Sequence, residues 1–278
     1  DFGPVRQMVS FSVKILMTNI INTLSSNILT FILGRYFPMK QVGNFTQAYK
    51  WNTMANSFVA NTLWQVVQTV LVAAGDERER RCRVYRKMMR FTAFMSFPLM
   101  FGLALVAEEF ILCTIGDEWV GSIPLLRILC VAGAFVPFYT MYQNLAISSG
   151  RSDLYLWCNV LQIVLQVAVI FAFKSMGLSV MVIAYSTFIV LWLLAWQVVA
   201  KRLIGLRLVH TLLDVMPFML ISAGVMTATY FCTFWISSHP IILVARIAIA
   251  APLYIAATKL LHPEILTETL AYLHPHQK

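Results

Sequence analysis

The chain has 278 residues, of which 59% are hydrophobic and 12% charged, and its mean hydropathy is +0.75. A soluble domain carries about 25% charged residues and 45–50% apolar ones, so this composition excludes a soluble globular fold and leaves lipid as the solvent for the excess apolar surface. The formal net charge of +9 lies in short runs between apolar segments rather than along one basic face, which excludes a nucleic-acid groove and fits the loops of a membrane protein.

A helix needs about 20 mostly apolar residues to cross the hydrocarbon core, and backbone polar groups in lipid leave helices as the reasonable solution. The fold class predicted is therefore all-α: a polytopic membrane helix bundle of about eight transmembrane helices. The candidates, in chain order, are 11–33, 52–74, 91–112, 125–148, 154–174, 178–200, 211–235 and 240–261.

The first span is the richest in polar groups. Asn19, Thr23, Ser26 and Thr30 fall at i, i+4, i+7 and i+11, one helical stripe, with Asn22 and Asn27 beside it. Amides and hydroxyls suit sugar hydroxyls, and they equally suit hydrogen bonding between membrane helices. Arg35 closes that span. In the second span Asn52 and Asn56 share one face, while Asn61, Gln65 and Gln68 share a roughly opposite one. The third is interrupted by Glu108 and Glu109, so Phe91 to Ala107 reads as the span and Phe110 to Ile115 as an interfacial turn.

Arg127 stands at the outer end of the fourth span, which also carries Pro137, Tyr139, Tyr142, Gln143 and Asn144. A proline removes a backbone donor and can kink a helix, and Pro98, Pro217 and Pro252 offer the same possibility elsewhere. The fifth span holds Asn159, Gln162 and Gln166 at i, i+3 and i+7, a stripe for which cavity lining and helix packing both stay open. Asp214 enters the seventh span as a helix N-terminal acid or a coupling-ion site. In the eighth, Arg246 lies about 9 Å in from Pro240 at 1.5 Å rise per residue, a basic residue clearly within a span. Arginine forks suit phosphate oxygens, so Arg35, Arg127 and Arg246 are the candidate diphosphate contacts.

The run Asp76 to Arg90 holds seven basic residues, which the positive-inside rule places in the cytoplasm. Alternation then puts the start, Gly150–Asp153, Lys201–His210 and the tail after His262 on the same side. Fifteen Lys and Arg fall on that side or at its helix ends, against five on the other, with Arg246 inside a span. Both ends of the chain are expected in the cytoplasm. Cys82, Cys113, Cys130, Cys158 and Cys232 show no paired spacing, and no cofactor, metal or catalytic constellation is read. Phe2 to Met8 lacks the zones of a signal peptide, and the chain starts at Asp1, so a piece of a longer protein is expected.

Four segments carry a resemblance. Phe11–Trp51 runs an Asn-rich helix into Gly34, Arg35, Tyr36 and Phe37, then Gly43, Phe45, Gln47 and Ala48. Tyr85–Ile111 joins a basic stretch to Phe-Pro-Leu-Met and Gly-Leu-Ala. Gly116–Cys130 opens on a Gly-acid-x-Trp turn, and Ser148–Leu156 carries Gly-Arg-Ser-Asp. In this order they resemble the polysaccharide-transporter branch of the multidrug/oligosaccharidyl-lipid/polysaccharide flippase superfamily, the Wzx-like proteins.

The resemblance implies fourteen helices in two lobes, with the eight spans here matching helices seven to fourteen and the first lobe absent. Residues 1–205 would be the second six-helix lobe and 206–278 two additional helices and a cytoplasmic tail. It further implies alternating-access export of a polyprenyl-diphosphate-linked oligosaccharide across a bacterial inner membrane, for lipopolysaccharide or capsule. The implied partners are that lipid-linked oligosaccharide, the bilayer, the N-terminal lobe of the same protein and glycan polymerase machinery. The candidate contacts are Asn19, Asn22, Thr23, Ser26, Arg35, Asn56, Arg127, Tyr139, Asn144, Asn159, Gln162, Gln166 and Arg246. Two other classes remain: a membrane enzyme (acyltransferase, glycosyltransferase or polymerase) acting on the same lipid-linked glycans, and a non-transporting membrane scaffold. Short outer loops, with no paired carboxylates or intramembrane histidine read as an acid–base set, weigh against the enzyme.

Overall fold

The computed structural model describes residues 32–73, 78–236 and 238–261, five isolated positions before them (12, 13, 16, 17 and 20), and the backbone alone over 62–73. Every regular element among the described residues is helical. They are α1 (Met39–Ala73), α2 (Arg78–Leu105), α3 (Ala107–Thr114), α4 (Ile123–Gly133), α5 (Val136–Ser148), α6 (Ser152–Phe173), α7 (Leu178–Ile204), α8 (Leu208–Cys232) and α9 (His239–Leu261). A 3-10 turn over Asp117–Ser122 leads into α4, and residues 32–36, just before α1, are helical.

Among the described residues six stretches are long and apolar enough to cross a membrane: Arg78–Leu105, Asp117–Ser148, Ser152–Met176, Leu178–Ile204, Leu208–Cys232 and His239–Leu261. They match the third to eighth expected spans, and the chain is a multi-pass membrane bundle. The first expected span lies mostly outside the described residues. The second is helical within α1 but, carrying Asn52, Asn56, Asn61, Gln65 and Gln68, is not among the six.

Two local readings change. The basic stretch expected as a loop is helical from Arg78 and forms the first three turns of α2. The fourth span is broken. Pro137 has no N–H to offer the carbonyl of Gly133, and its ring crowds that carbonyl, so α4 ends at Gly133 and α5 starts at Val136. Buried Ser96 of α2 fills part of the gap by donating its hydroxyl to the Ala134 carbonyl at 2.7 Å. Gly133 has no side chain at the point where Asn52 and Met100 press on the break: a Cβ there would meet Asn52 Nδ2 and Met100 Cε at 2.5 Å each. The other prolines act differently. Pro98, Pro217 and Pro252 sit inside helices that run on through them.

α2 is the hub, packing against α1, α4, α5 and α7 on one side and α8 and α9 on the other. Tyr85, Met89, Phe97 and Met100 of α2, Leu126 of α4, Leu145 of α5, Trp196 of α7 and Phe218 of α8 are among the bulkiest fully enclosed side chains. A smaller apolar cluster of Val225, Met226, Ala250 and Tyr254 joins α8 and α9 to Phe94 and Phe101 of α2. The opposite surfaces are apolar and open: only 17% of the most apolar stretch of Ser152–Met176 is buried, and Trp157, Leu161, Val164 and Phe171 project from α6. That surface meets lipid or further protein, for water would not tolerate it.

Charge sorts by end. Arg78 donates to the carbonyls of Lys201 and Arg202 at 3.3 Å, and Arg81 to Ser149 Oγ at 3.1 Å. The basic start of α2, the α5–α6 turn and the α7–α8 turn therefore share one end of the bundle, as the alternation of spans requires. Gly150 and Gly205, with φ of 70° and 77°, make those two turns in a conformation that residues with a Cβ avoid.

Candidate functional site

Within the bundle the polar side chains gather into three groups. The first is spread over α1, α5 and α6, with α5 packed against both of the others and α1 also against α4. Asn52 and Asn56 are buried and face Gly133 at the end of α4, while Asn61 is exposed. Asn56 donates to the Asn52 carbonyl at 3.1 Å and to its Oδ1 at 3.2 Å. On α6, Asn159 accepts from Gln143 of α5 at 3.0 Å and donates to the Tyr155 carbonyl at 2.6 Å. Tyr139 donates to the Ile189 carbonyl of α7 at 2.7 Å.

The amides of this group are only partly satisfied. Asn52 Nδ2, Asn56 Oδ1, Asn144 Nδ2 and Gln162 Oε1 are shut from solvent with no hydrogen-bond partner among the described residues. A buried polar atom left unpaired costs roughly 1–3 kcal/mol, and such atoms call for a partner such as water or ligand. Gln166 is also buried, so the α6 stripe faces protein and its open face is apolar.

The second group lies at the end opposite the basic one. Glu109, in the first turn of α3, binds Arg246 of α9 at 2.7 Å, and both side chains are less than a tenth exposed. The same Nη1 donates to the Leu105 carbonyl at 2.9 Å, so the arginine also caps the freed end of α2; its Nε donates to Thr233 at 3.2 Å, and the guanidinium lies 5.4 Å from the Tyr230 ring centre. Beside it Arg127 of α4 pairs with Glu108 at 3.0 Å, about half exposed. Both pairs, with His239 and Tyr230, line one cavity of about 520 Å³. The structure thus brings Arg127 and Arg246 together, each already matched by a carboxylate. Arg35 stands apart and exposed. Asn19, Asn22, Thr23 and Ser26 lie outside the described residues.

The third group clamps the basic end. Arg86 holds Asp214 through Nε at 2.6 Å and Nη2 at 3.1 Å, with Arg90 at 3.9 Å from the same carboxylate. Asp214 is buried, and these arginines give it a helix-pairing role between α2 and α8. Nearby, Tyr142 of α5 and Thr211 of α8 both donate to Gln197 Oε1, at 2.6 and 3.1 Å, while Gln197 Nε2 donates to the Leu206 carbonyl at 3.1 Å. Sequence reasoning missed this network. The signal was present in a lone amide, Gln197, inside an apolar helix. Glu109 was legible in the same way, since a buried arginine demands a counter-charge. Among the described residues no cluster of three His, Cys, Asp or Glu is placed to hold a metal.

Comparison with known proteins gives this arrangement a context. A family described as polysaccharide biosynthesis protein matches residues 1–124. A membrane protein of the cps region of Klebsiella pneumoniae is 23% identical over 167 residues, 60% of this chain and 34% of the relative. The teichuronic acid biosynthesis protein TuaB of Bacillus subtilis is 24% identical over 154 residues, 55% of this chain and 32% of its own length. The lipopolysaccharide biosynthesis protein WzxC of Escherichia coli is 23% identical over 160 residues, 58% and 32% respectively. The resemblance to Wzx-type polysaccharide transporters is borne out. The chain spans about a third of the length of these curated relatives, and no solved structure matches it.

Proposed function

We propose that this protein is part of a flippase that moves a polyprenyl-diphosphate-linked oligosaccharide from the cytoplasmic to the outer leaflet of a bacterial inner membrane, for surface polysaccharide assembly. The observation that carries this reading is the match to relatives named for the biosynthesis of teichuronic acid and lipopolysaccharide, on a chain that is a multi-pass helix bundle. Residues 1–205 act as a six-helix lobe, 206–278 as two further helices with a cytoplasmic tail, and eight spans in all leave both ends of the chain in the cytoplasm. The basic end formed by Arg78–Arg90 faces the cytoplasm, as the positive-inside rule favours.

Flipping breaks no bond, so the protein has only to hide a polar headgroup from lipid and present it to each leaflet in turn. The half-satisfied amides of Asn52, Asn56, Asn144 and Gln162 suit that role, because they would gain partners when sugar hydroxyls or water enter alongside α5. The matched charges at Arg127 and Arg246 suit a diphosphate only after Glu108 or Glu109 gives way, so they belong to a state other than this one. Glycan polymerase machinery is the natural recipient of the product.

Reconstitution tests the proposal. In liposomes loaded on one side with a fluorescent polyprenyl-diphosphate oligosaccharide, the protein together with the rest of its transporter should bring the glycan to the opposite face, where an added glycosidase can cut it. Binding without translocation would favour the scaffold reading, and covalent change of the glycan the enzyme reading.

A further inference from the structure

A second cavity, of about 540 Å³, lies at the end of the bundle opposite the basic cluster, away from the Arg127–Arg246 group. Its size falls in the roughly 300–1,000 Å³ range of small-molecule sites. Three separate parts of the chain build it: Phe37, Gln41 and Asn44 around the start of α1; Gly121 and Leu125 at the entry to α4; and Lys174, Ser175, Gly177 and Ser179 in the α6–α7 turn. Gly121 permits this assembly, because any Cβ there would collide with the Asn44 amide. Gly177 makes the turn with φ of 92°.

The lining has a definite chemistry. Gln41 and Asn44 offer amides, Ser175 and Ser179 hydroxyls, and Phe37 an aromatic face. Among the described residues, Lys174 is the sole charged one in the lining. Its Nζ sits 4.1 Å from the Tyr36 ring centre and 5.0 Å from that of Phe171, so two rings hold the ammonium in place, and no carboxylate of the described residues lines the cavity to neutralise it. Amides, hydroxyls and an aromatic face recognise sugar rings, and one uncompensated cation selects a negative substituent.

We propose that this cavity is a carbohydrate subsite for an acidic oligosaccharide, with Lys174 binding a carboxylate on the sugar. The proposal rests on the flippase reading and deepens it: the subsite would receive the glycan at the outer face.

The test uses the protein in nanodiscs of zwitterionic lipid and two soluble probes, a tetrasaccharide of alternating glucuronate and N-acetylglucosamine and its neutral counterpart, the tetramer of N-acetylglucosamine. Saturation-transfer NMR titration should show the acidic probe binding about fivefold more tightly, the scale of one partly exposed ion pair. Lys174→Gln should erase that preference, Lys174→Arg should keep it, and Ser179→Trp should block both probes by filling the cavity. Equal binding of the two probes, a preference that survives Lys174→Gln, or no binding at all would overturn the proposal. So would displacement of the acidic probe by a tenth of phosphatidylglycerol in the disc, which would make Lys174 a lipid-headgroup contact. The flipping assay separates the two claims: translocation without Lys174-dependent binding sinks the subsite alone, and Lys174-dependent binding without translocation sinks the flippase alone.

Discussion

Arg246 illustrates how a membrane interior treats a charge. Its guanidinium meets a carboxylate, a helix-end carbonyl, a hydroxyl and an aromatic ring, and Glu109 depends on it in turn. Removing one member strands the other, at a cost of about 3–5 kcal/mol, whereas replacing both with well-packed apolar residues is close to neutral. Glu109→Leu and Arg246→Leu should each lower the thermal unfolding midpoint in detergent, and the double substitution should recover most of the loss. If the double variant is as unstable as the worse single one, the pair is not the tie between α3 and α9 that its geometry indicates. Export by the double variant separates structure from substrate contact: a stable but silent double variant would restore Arg246 to the diphosphate site. Ser96 makes a smaller case. Ser96→Ala leaves the Ala134 carbonyl unpaired in the core and should cost about 1 kcal/mol, read as a lower unfolding midpoint with unchanged insertion.

At the scale of elements, the broken fourth span is the most informative feature. Proline, a glycine without a Cβ and a serine from the neighbouring helix cooperate to hold a two-residue gap in the membrane, where irregular backbone survives only if protein covers it. Pro137→Ala restores the donor and should let α4 and α5 join. Hydrogen exchange should then slow across residues 134–138, and export should fall if the break is a hinge. Unchanged exchange would mean that packing of Asn52 and Met100, rather than the proline, holds the break open. Gly133→Leu should be far less tolerated than the equivalent change at Gly34, where a Cβ would meet nothing within 4 Å.

Chain order and hydropathy made these elements legible, because a span of about 20 apolar residues leaves the helix little alternative. Pro137 stood out for the same reason that Pro98, Pro217 and Pro252 did, yet only its surroundings accommodate a gap. What distinguishes the four is tertiary: a serine 38 positions away in sequence has no local signature. The same holds for Asp214, which reads alone as a helix N-terminal acid and gains its role from Arg86, 128 residues earlier. The polar stripe on α6 was visible at its correct spacing, but its direction depended on which neighbours α5 and α7 supplied. The cavity at Lys174 was illegible, since its lining comes from three distant segments and none carries a motif.

For the whole molecule, the two ends carry opposite chemistry. One holds Arg78–Arg90 with Lys201 and Arg202; the other holds the Glu108–Arg127 pair and the Lys174 cavity. In a cysteine-free variant, single cysteines at Lys87 and Lys174 should label from opposite faces of the membrane, with position 87 protected from an impermeant reagent in intact cells. Labelling of both from outside would break the proposed orientation.

The central claim is that the protein serves translocation of lipid-linked glycan, and genetic complementation tests it most directly. The gene encoding the protein, together with the rest of its transporter, would be supplied to a bacterial strain that lacks its own flippase, scored for surface polysaccharide and for lipid-linked intermediate held inside. The account predicts restored surface glycan and disappearance of the trapped intermediate. Correct membrane insertion with the intermediate still accumulating, for every acidic and neutral glycan supplied, would contradict it.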